Sequence, residues 1–157
     1  MSKFIEGNLE AKGLRIAIIS ARFNEMVVDS LTAGAINSLQ RLGASTEDVD
    51  VFKVPGAFEI PGLANKLLKQ DKYHGIICLG AVIRGDTPHF DMVVNGVTSG
   101  IANLSMKADI PVIFGVLTTD TVEQAMDRSG LKSGNKGAEA AVAVVEMASL
   151  YRKVEKL

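Results

Sequence analysis

The chain's 157 residues suffice for one sizeable hydrophobic core and are too few for two ordinary domains, so a single domain over residues 1–157 is expected. Lys plus Arg number 17 and Asp plus Glu 18, and the resulting formal charge of -1 leaves no footprint for nucleic acid or an anionic membrane. One cysteine excludes a disulfide framework, and with no apolar signal core and no run near about 18 apolar residues the expectation is a soluble, cytoplasmic chain.

Phe4 to Leu9 is short and partly alternating. It reads either as a loose terminus or as an arm, residues 1–12, that adds to its own or a neighbouring subunit's sheet edge. Leu14 to Ser20 is the first core strand, a continuous apolar run through Ile16, Ala17, Ile18 and Ile19. Phe23 and Asn24 follow, with Asn24 expected to cap a helix whose apolar face carries Val28, Leu31, Ala35, Leu39 and Leu42 before Gly43 stops it. Phe23 at this boundary is either a staple for the helix entrance or a flat surface for a planar ligand. Asp50 to Val54 is a second strand, and Pro55-Gly56 turns the chain into a helix with Pro61 in its first turn. Glu59, at the mouth of this crossover, suits both a helix amino terminus and an acceptor for ligand hydroxyls.

Ile76 to Ile83 is the third strand, uncharged throughout and therefore expected to be buried on both faces. It ends in Arg84-Gly85-Asp86-Thr87-Pro88-His89, and a helix carrying Phe90, Val93, Val94, Val97, Ile101 and Leu104 on one face follows. Cys78 within this strand reads as a buried, inert thiol. The fourth strand, Pro111 to Leu117, leads to Asp120-x-x-Glu123, read as a capping box, and then to a glycine-rich stretch from Arg128 to Gly137. A last helix runs from Ala138 to about Arg152. Four alternations of strand and helix imply right-handed crossovers, a four-stranded parallel sheet and helices on both of its faces.

Such a sheet gathers its chemistry at the carboxyl ends of the strands, where Phe23, Ala57 to Glu59, Val82 to His89 and the end of the strand Pro111 to Leu117 are expected to meet. His89 is a candidate for moving protons near neutral pH, although a histidine at a helix start is as often structural. Gly85, Asp86 and Thr87 offer amide donors and a hydroxyl suited to phosphate, without the G-x-x-x-x-G-K-[ST] pattern of a nucleotide-hydrolysing loop. Arg84, Arg128, Lys132 and Lys136 are candidate anion partners. The dinucleotide fingerprint G-x-G-x-x-G is absent between strand and helix, which disfavours a nicotinamide enzyme; no cluster of cysteines and histidines suggests a metal.

The ordered set Ala21-Arg22-Phe23-Asn24, Val54 to Pro61, Gly80 to Phe90, Phe114 to Thr118 and Gly134-Asn135-Lys136-Gly137 resembles the lumazine synthase family over nearly the whole chain. The resemblance implies a flavodoxin-like three-layer α/β sandwich. It also implies a condensation of 5-amino-6-(D-ribitylamino)uracil with 3,4-dihydroxy-2-butanone 4-phosphate to 6,7-dimethyl-8-ribityllumazine, phosphate and water, in riboflavin biosynthesis, with neither cofactor nor metal. Carried onto this chain, it makes Phe23 the stacking surface for the pyrimidine and gives Asn24, Ala57, Phe58 and Glu59 to the ribityl chain and ring. The backbone of Ala81, Val82 and Ile83 meets the pyrimidine edge; Gly85, Asp86, Thr87 and Arg128 receive the phosphate; His89 transfers protons. Phe114 completes the aromatic wall from the adjacent subunit, and Lys136 occupies a further family site position. Asp86 departs from a family position that is commonly small, and is expected to turn its carboxylate toward Arg84 or another cation.

The same resemblance implies pentamers with sites at subunit boundaries. The short connection from Gly130 to Gly137 favours their assembly into a 60-subunit icosahedral shell, with riboflavin synthase as a guest. Two other readings fit the same scaffold: another ribityl-pyrimidine enzyme or binding protein without need of the phosphate set, and a mainly structural cage.

Overall fold

A computed structural model describes residues 1–157. Strand β1 (Ile16–Ala21) is buried along its whole length and β3 (Gly75–Ile83) at every position but its last. A strand without a solvent face needs apolar residues at odd and even positions alike, so both read as unbroken apolar runs rather than alternations. β2 (Val49–Val54) and β4 (Val112–Thr119) flank them in the order β2-β1-β3-β4, all parallel. Both edge strands are more exposed than the centre: Val51 opens to solvent on β2, and Ile113 and Phe114 are only half-buried on β4.

Parallel strands need crossovers, here α1 (Glu25–Arg41), α2 (Ile60–Leu68) and α3 (His89–Lys107). The step from β1 to β2 runs one way across the sheet and the steps from β2 through β3 to β4 run the other way. Right-handed crossovers therefore put α1 on one face and α2 with α3 on the opposite face. Beyond β4 come α4 (Val122–Asp127), a short antiparallel hairpin of β5 (Ser129–Leu131) and β6 (Gly134–Asn135), and α5 (Lys136–Glu155), which lies beside α1. The result is the expected flavodoxin-like sandwich, with Ile16, Ile18, Ile77 and Leu79 packed under α1 and α5, and Ala17, Ile19, Ile76 and Cys78 under α2 and α3.

Close helix contacts depend on missing side chains. A Cβ on Gly137 would collide with the backbone of Leu31, so the start of α5 can cross α1 only with glycine there. The single polar pair inside this layer is satisfied internally. Thr32 donates its hydroxyl to the Val28 carbonyl (2.9 Å), which leaves Ser20 as donor in the 2.7 Å contact with Thr32 Oγ1. Burial pushes the Cys78 thiol up to about 12, in keeping with the inert reading.

Three local expectations differ from the structure. The cap of α4 is Thr121 rather than Asp120: Thr121 Oγ1 accepts from the Gln124 N–H, and Gln124 Oε1 accepts from the Asp120 N–H, a reciprocal arrangement displaced by one residue. α5 begins at Lys136, two residues early, because Asn135 Oδ1 takes the Ala138 N–H and caps it. The glycine-rich stretch is a hairpin, with Gly130 (φ 122°) and Gly134 (φ 82°) supplying the left-handed backbone.

His74, half-buried ahead of β3, links the amino ends of β1 and β3: its Nδ1 accepts from the Arg15 N–H (2.8 Å) and its own N–H donates to the Arg15 carbonyl (2.7 Å). Burial first, then the nearby Arg152 and Arg15 cations, hold its pKa below the ordinary 6.5. The unfolded imidazole therefore takes up its proton at a higher pH than the folded one, and the contribution of His74 is complete above the ordinary value and lost as pH falls through the folded one. Thermal unfolding followed at about pH 7.5 and about pH 5.5 should show a smaller acid-induced loss in His74→Asn, which keeps an acceptor but cannot titrate, than in the unaltered chain.

Candidate active site

The connections of β1 and β3 leave the sheet toward opposite faces, and a crevice opens between their carboxyl ends. It holds a cavity of about 620 Å³, within the range of small-molecule sites. The walls come from the turn after β1 (Phe23, Asn24), the turn after β2 (Pro55 to Glu59), the end of β3 (Ala81 to Ile83) with Gly85 and Thr87, and the first turns of α3 (His89, Phe90, Met92, Val93).

Backbone hydrogen bonds lace these loops together. Arg22 donates to the Val54 carbonyl (2.7 Å) and Phe23 to that of Pro55 (3.1 Å), so the turns after β1 and β2 move as one. Asn24 adopts the left-handed conformation (φ 62°, ψ 46°) and, contrary to the cap expected of it, spends no side-chain atom on α1. Its Nδ2 donates instead to the Ala81 carbonyl (2.8 Å), tying the β1 turn to the end of β3, while its backbone carbonyl accepts from Val27 and Val28 and starts the helix. The Ala81 carbonyl is thereby committed; Asn24 Oδ1 still faces a site with no partner inside the chain.

Phe23 and Phe58 lie at the mouth with 71% and 58% of their surfaces exposed. Rings left open on a cavity rim gain their burial only when something flat covers them. Ala57–Glu59 forms one turn of 3-10 helix, with Ala57 buried beneath the rim and Glu59 exposed on it. The Phe58 ring rests on Gly96 of α3, where a Cβ would stand 2.5 Å from Cε1.

The turn after β3 is the polar wall. The backbone N–H groups of Gly85, Asp86 and Thr87 donate to no acceptor in the chain, and Thr87 Oγ1 accepts only the long bond from the His89 N–H (3.4 Å), leaving its own proton to give. With the amino terminus of α3 beside them, these donors are free to seat an anion. His89, first residue of α3, is exposed on the cavity wall. Asp86 is exposed, makes no ion pair and does not line the cavity. The pairing with Arg84 expected for it is absent because two other carboxylates hold that guanidinium: Asp120 at 2.9 Å and Asp91 at 3.7 Å.

Phe114, Arg128 and Lys136 do not line the cavity. Phe114 pairs in register with Cys78, five residues before the end of β4, which sets it about 16 Å back along the strand. Arg128, at the end of α4, gives Nη1 to the Gln124 carbonyl (3.0 Å), and its own carbonyl accepts the Lys136 N–H (2.9 Å). The hairpin thus brings Arg128 and Lys136 to each other rather than to the anion seat. No lysine or arginine lines the cavity. Pro55, Gly56, Phe90, Met92 and Val93 were not anticipated as lining. Met92 and Val93 follow His89 at the helical spacings of three and four, a signal present in the sequence, where Val93 counts toward the core face and Met92 lies off it.

The family model described as 6,7-dimethyl-8-ribityllumazine synthase matches residues 13–152. Curated proteins named 6,7-dimethyl-8-ribityllumazine synthase align over almost their full lengths. That of Desulfotalea psychrophila is 58% identical over 150 residues, covering 96% of this chain and 97% of the relative. That of Desulfatibacillum aliphaticivorans is 55% identical over 150 residues, with the same coverage of 96% and 97%. That of Clostridium kluyveri is 53% identical over 153 residues, covering 98% and 99%. A crevice at the sheet's switch point, two uncovered rings, an anion seat and a histidine beside it accord with these matches, and the chain belongs to the 6,7-dimethyl-8-ribityllumazine synthase family.

Proposed function

We propose that this cavity condenses 5-amino-6-(D-ribitylamino)uracil with 3,4-dihydroxy-2-butanone 4-phosphate, giving 6,7-dimethyl-8-ribityllumazine, phosphate and water. The observation that carries the reading is the presence, on one cavity, of an open aromatic surface, a run of unspent backbone donors and His89. Phe23 stacks on the pyrimidine, while Asn24, Ala57, Phe58 and Glu59 hold the ribityl chain and ring. The backbone of Ala81, Val82 and Ile83 reads the pyrimidine edge. Gly85, Asp86 and Thr87 seat the phosphate through their N–H groups and the Thr87 hydroxyl.

The steps are redox-neutral. The 5-amino group adds to the ketone and water leaves to form an imine; phosphate is then eliminated, and the resulting enol becomes a ketone. Attack on that ketone by the ribityl-bearing nitrogen, with loss of a second water, closes the ring. Each stage relocates a proton, and phosphate departure concentrates negative charge on its oxygens. His89, one turn from the donor seat, takes and returns protons where both substrates meet. Holding amine and ketone together supplies much of the remaining acceleration.

A phosphate dianion in this seat meets Asp86 and Asp91 nearby and no unpaired cation on the cavity wall. This supports a site completed by a second subunit that contributes Phe114 to the aromatic wall and Arg128 and Lys136 to the anion. Residues 1–157 then act as one domain in a pentamer, and the short hairpin favours a 60-subunit icosahedral shell. Residues 6–8 lie along their own α5, through Asn8 N–H to Ser149 Oγ (2.7 Å) and Lys153 Nζ to the Glu6 carbonyl (2.6 Å). Phe4 (88% exposed) and Leu9 (51%) are left for a neighbour's sheet. Such a shell stands in the cytoplasm and has room for riboflavin synthase.

Lumazine and phosphate should appear together, in equal amounts and only with the protein present; binding of the pyrimidine without either product would refute the assignment. In that assay His89→Ala should lower kcat by about tenfold to about a hundredfold without abolishing turnover, since proton transfer is only part of the acceleration. Because the Asp86 carboxylate has no cation partner, Asp86→Ala should tighten the apparent affinity for the four-carbon phosphate by about twofold to about tenfold, the size of an unscreened charge repulsion near the surface. Light scattering over a range of salt and phosphate should give a particle near 60 chains; a mass confined to five would overturn the shell.

A further inference from the structure

Arg84 is the last residue that the sheet holds before the anion seat. Its N–H donates to the Thr119 carbonyl (2.8 Å), extending the ladder between β3 and β4 by one position. From Gly85 to Thr87 no backbone N–H is bonded within the chain, so this turn has no internal scaffold and takes its shape from its two ends. The Arg84 side chain ties those ends together. Its Nε donates to Asp120 Oδ1 (2.9 Å) on the turn after β4, its Nη1 lies 3.7 Å from Asp91 on the first turn of α3, and its guanidinium sits 4.4 Å above the centre of the Phe90 ring. Asp120 is itself fixed, its N–H bonded to Gln124 Oε1 (2.8 Å). The arginine thus spans the seat from its first residue to the helix turn that carries His89.

Stability does not account for this arrangement. The side chains of Arg84, Asp91 and Asp120 are 48%, 56% and 65% exposed, and ion pairs at such surfaces contribute little to folding. The guanidinium is instead oriented: Nε is spent on Asp120, Nη1 stands in a 3.7 Å ion pair with Asp91, and its face covers the Phe90 ring. What the contacts fix is direction: a planar cation reaching two acceptors while stacking has few alternative poses, whereas an ammonium at the same place would have many.

We propose that Arg84 is a positioning residue for the phosphate-bearing substrate, holding the donors of Gly85 to Thr87 and the His89 turn in register through Asp120, Asp91 and the Phe90 ring. The inference rests on the condensation proposed above and adds a residue to it that touches neither substrate. Of the pyrimidine contacts, those on the turns after β1 and β2 belong to other loops and those of Ala81 to Ile83 are held by the ladder between β3 and β4, so the effect of Arg84 on binding falls on the phosphate-bearing substrate.

Steady-state kinetics of the full-length protein, with each substrate varied in turn, tests this. Arg84→Lys keeps the charge and loses the fork and the stack; it should raise KM for the four-carbon phosphate and lower kcat, the combined loss in kcat/KM being about tenfold to about a hundredfold, with KM for the pyrimidine unchanged. Asp120→Asn, a near-isosteric surface change, should give the same pattern more weakly, and the double variant should be no worse than Arg84→Lys alone because both remove one contact. Kinetics of Arg84→Lys equal to those of the unaltered protein would overturn the proposal, as would equal losses for both substrates, which signal general damage. Failure of the unaltered protein to form lumazine would instead remove the condensation on which the inference stands.

Discussion

The two central strands have no solvent face, and that constraint shapes the rest of the molecule. Residues 16–20 and 75–80 are enclosed by helices above and below, so nothing along their length can bind a polar ligand without costing the burial that stabilises the sheet. Polar function is confined to where the strands stop. Because the connections of β1 and β3 leave toward opposite faces, the ends of these strands are also the place where the helical layers part. Every loop that lines the cavity enters it from this one edge.

An edge made of separate loops would be too soft for chemistry unless the loops held one another. Here they do so through backbone and near-backbone contacts that leave side chains free to face the cavity. The left-handed backbone of Asn24 turns Phe23 outward while its amide secures Ala81, and the N–H groups of Arg22 and Phe23 join the turn after β2. Gly96 serves the same end from below by letting Phe58 rest directly on α3. The turn after β3 is different in kind: its N–H groups are kept unspent, which makes it a receptor and leaves its shape to its neighbours.

The parallel sheet, the helices on both of its faces and the edge that carries the cavity were legible in the sequence because they depend on patterns several residues long: unbroken apolar runs, helical spacing and turn residues between them. What escaped was decided by single atoms. Asn24 and Asp120 have the composition of caps, but Asn24 donates its amide to the Ala81 carbonyl and caps nothing with its side chain, and Asp120 yields the cap to Thr121. The cavity-lining side of α3 was hidden because Val93 fits the core face as well as the cavity wall and Met92 stands outside the apolar pattern. The partner of Arg84 was equally hidden: Asp86, Asp91 and Asp120 are all within reach along the chain or across the edge, and only the path of β4 decides among them.

The distribution of charge carries the argument one step further. Near the anion seat the chain gathers Asp86, Asp91 and Asp120 against Arg84 alone, while Arg128 and Lys136 flank the base of the hairpin, joined by a backbone hydrogen bond. A chain meant to bind phosphate by itself would place a cation beside its amide donors, as Coulomb attraction is strongest at short range and weakest across water. Separating donors from cations within one chain leaves the donors without Coulomb support from their own subunit. On the proposal that a second subunit supplies Arg128 and Lys136, a site divided in this way would act only after assembly, and the local surplus of carboxylates would add to that dependence.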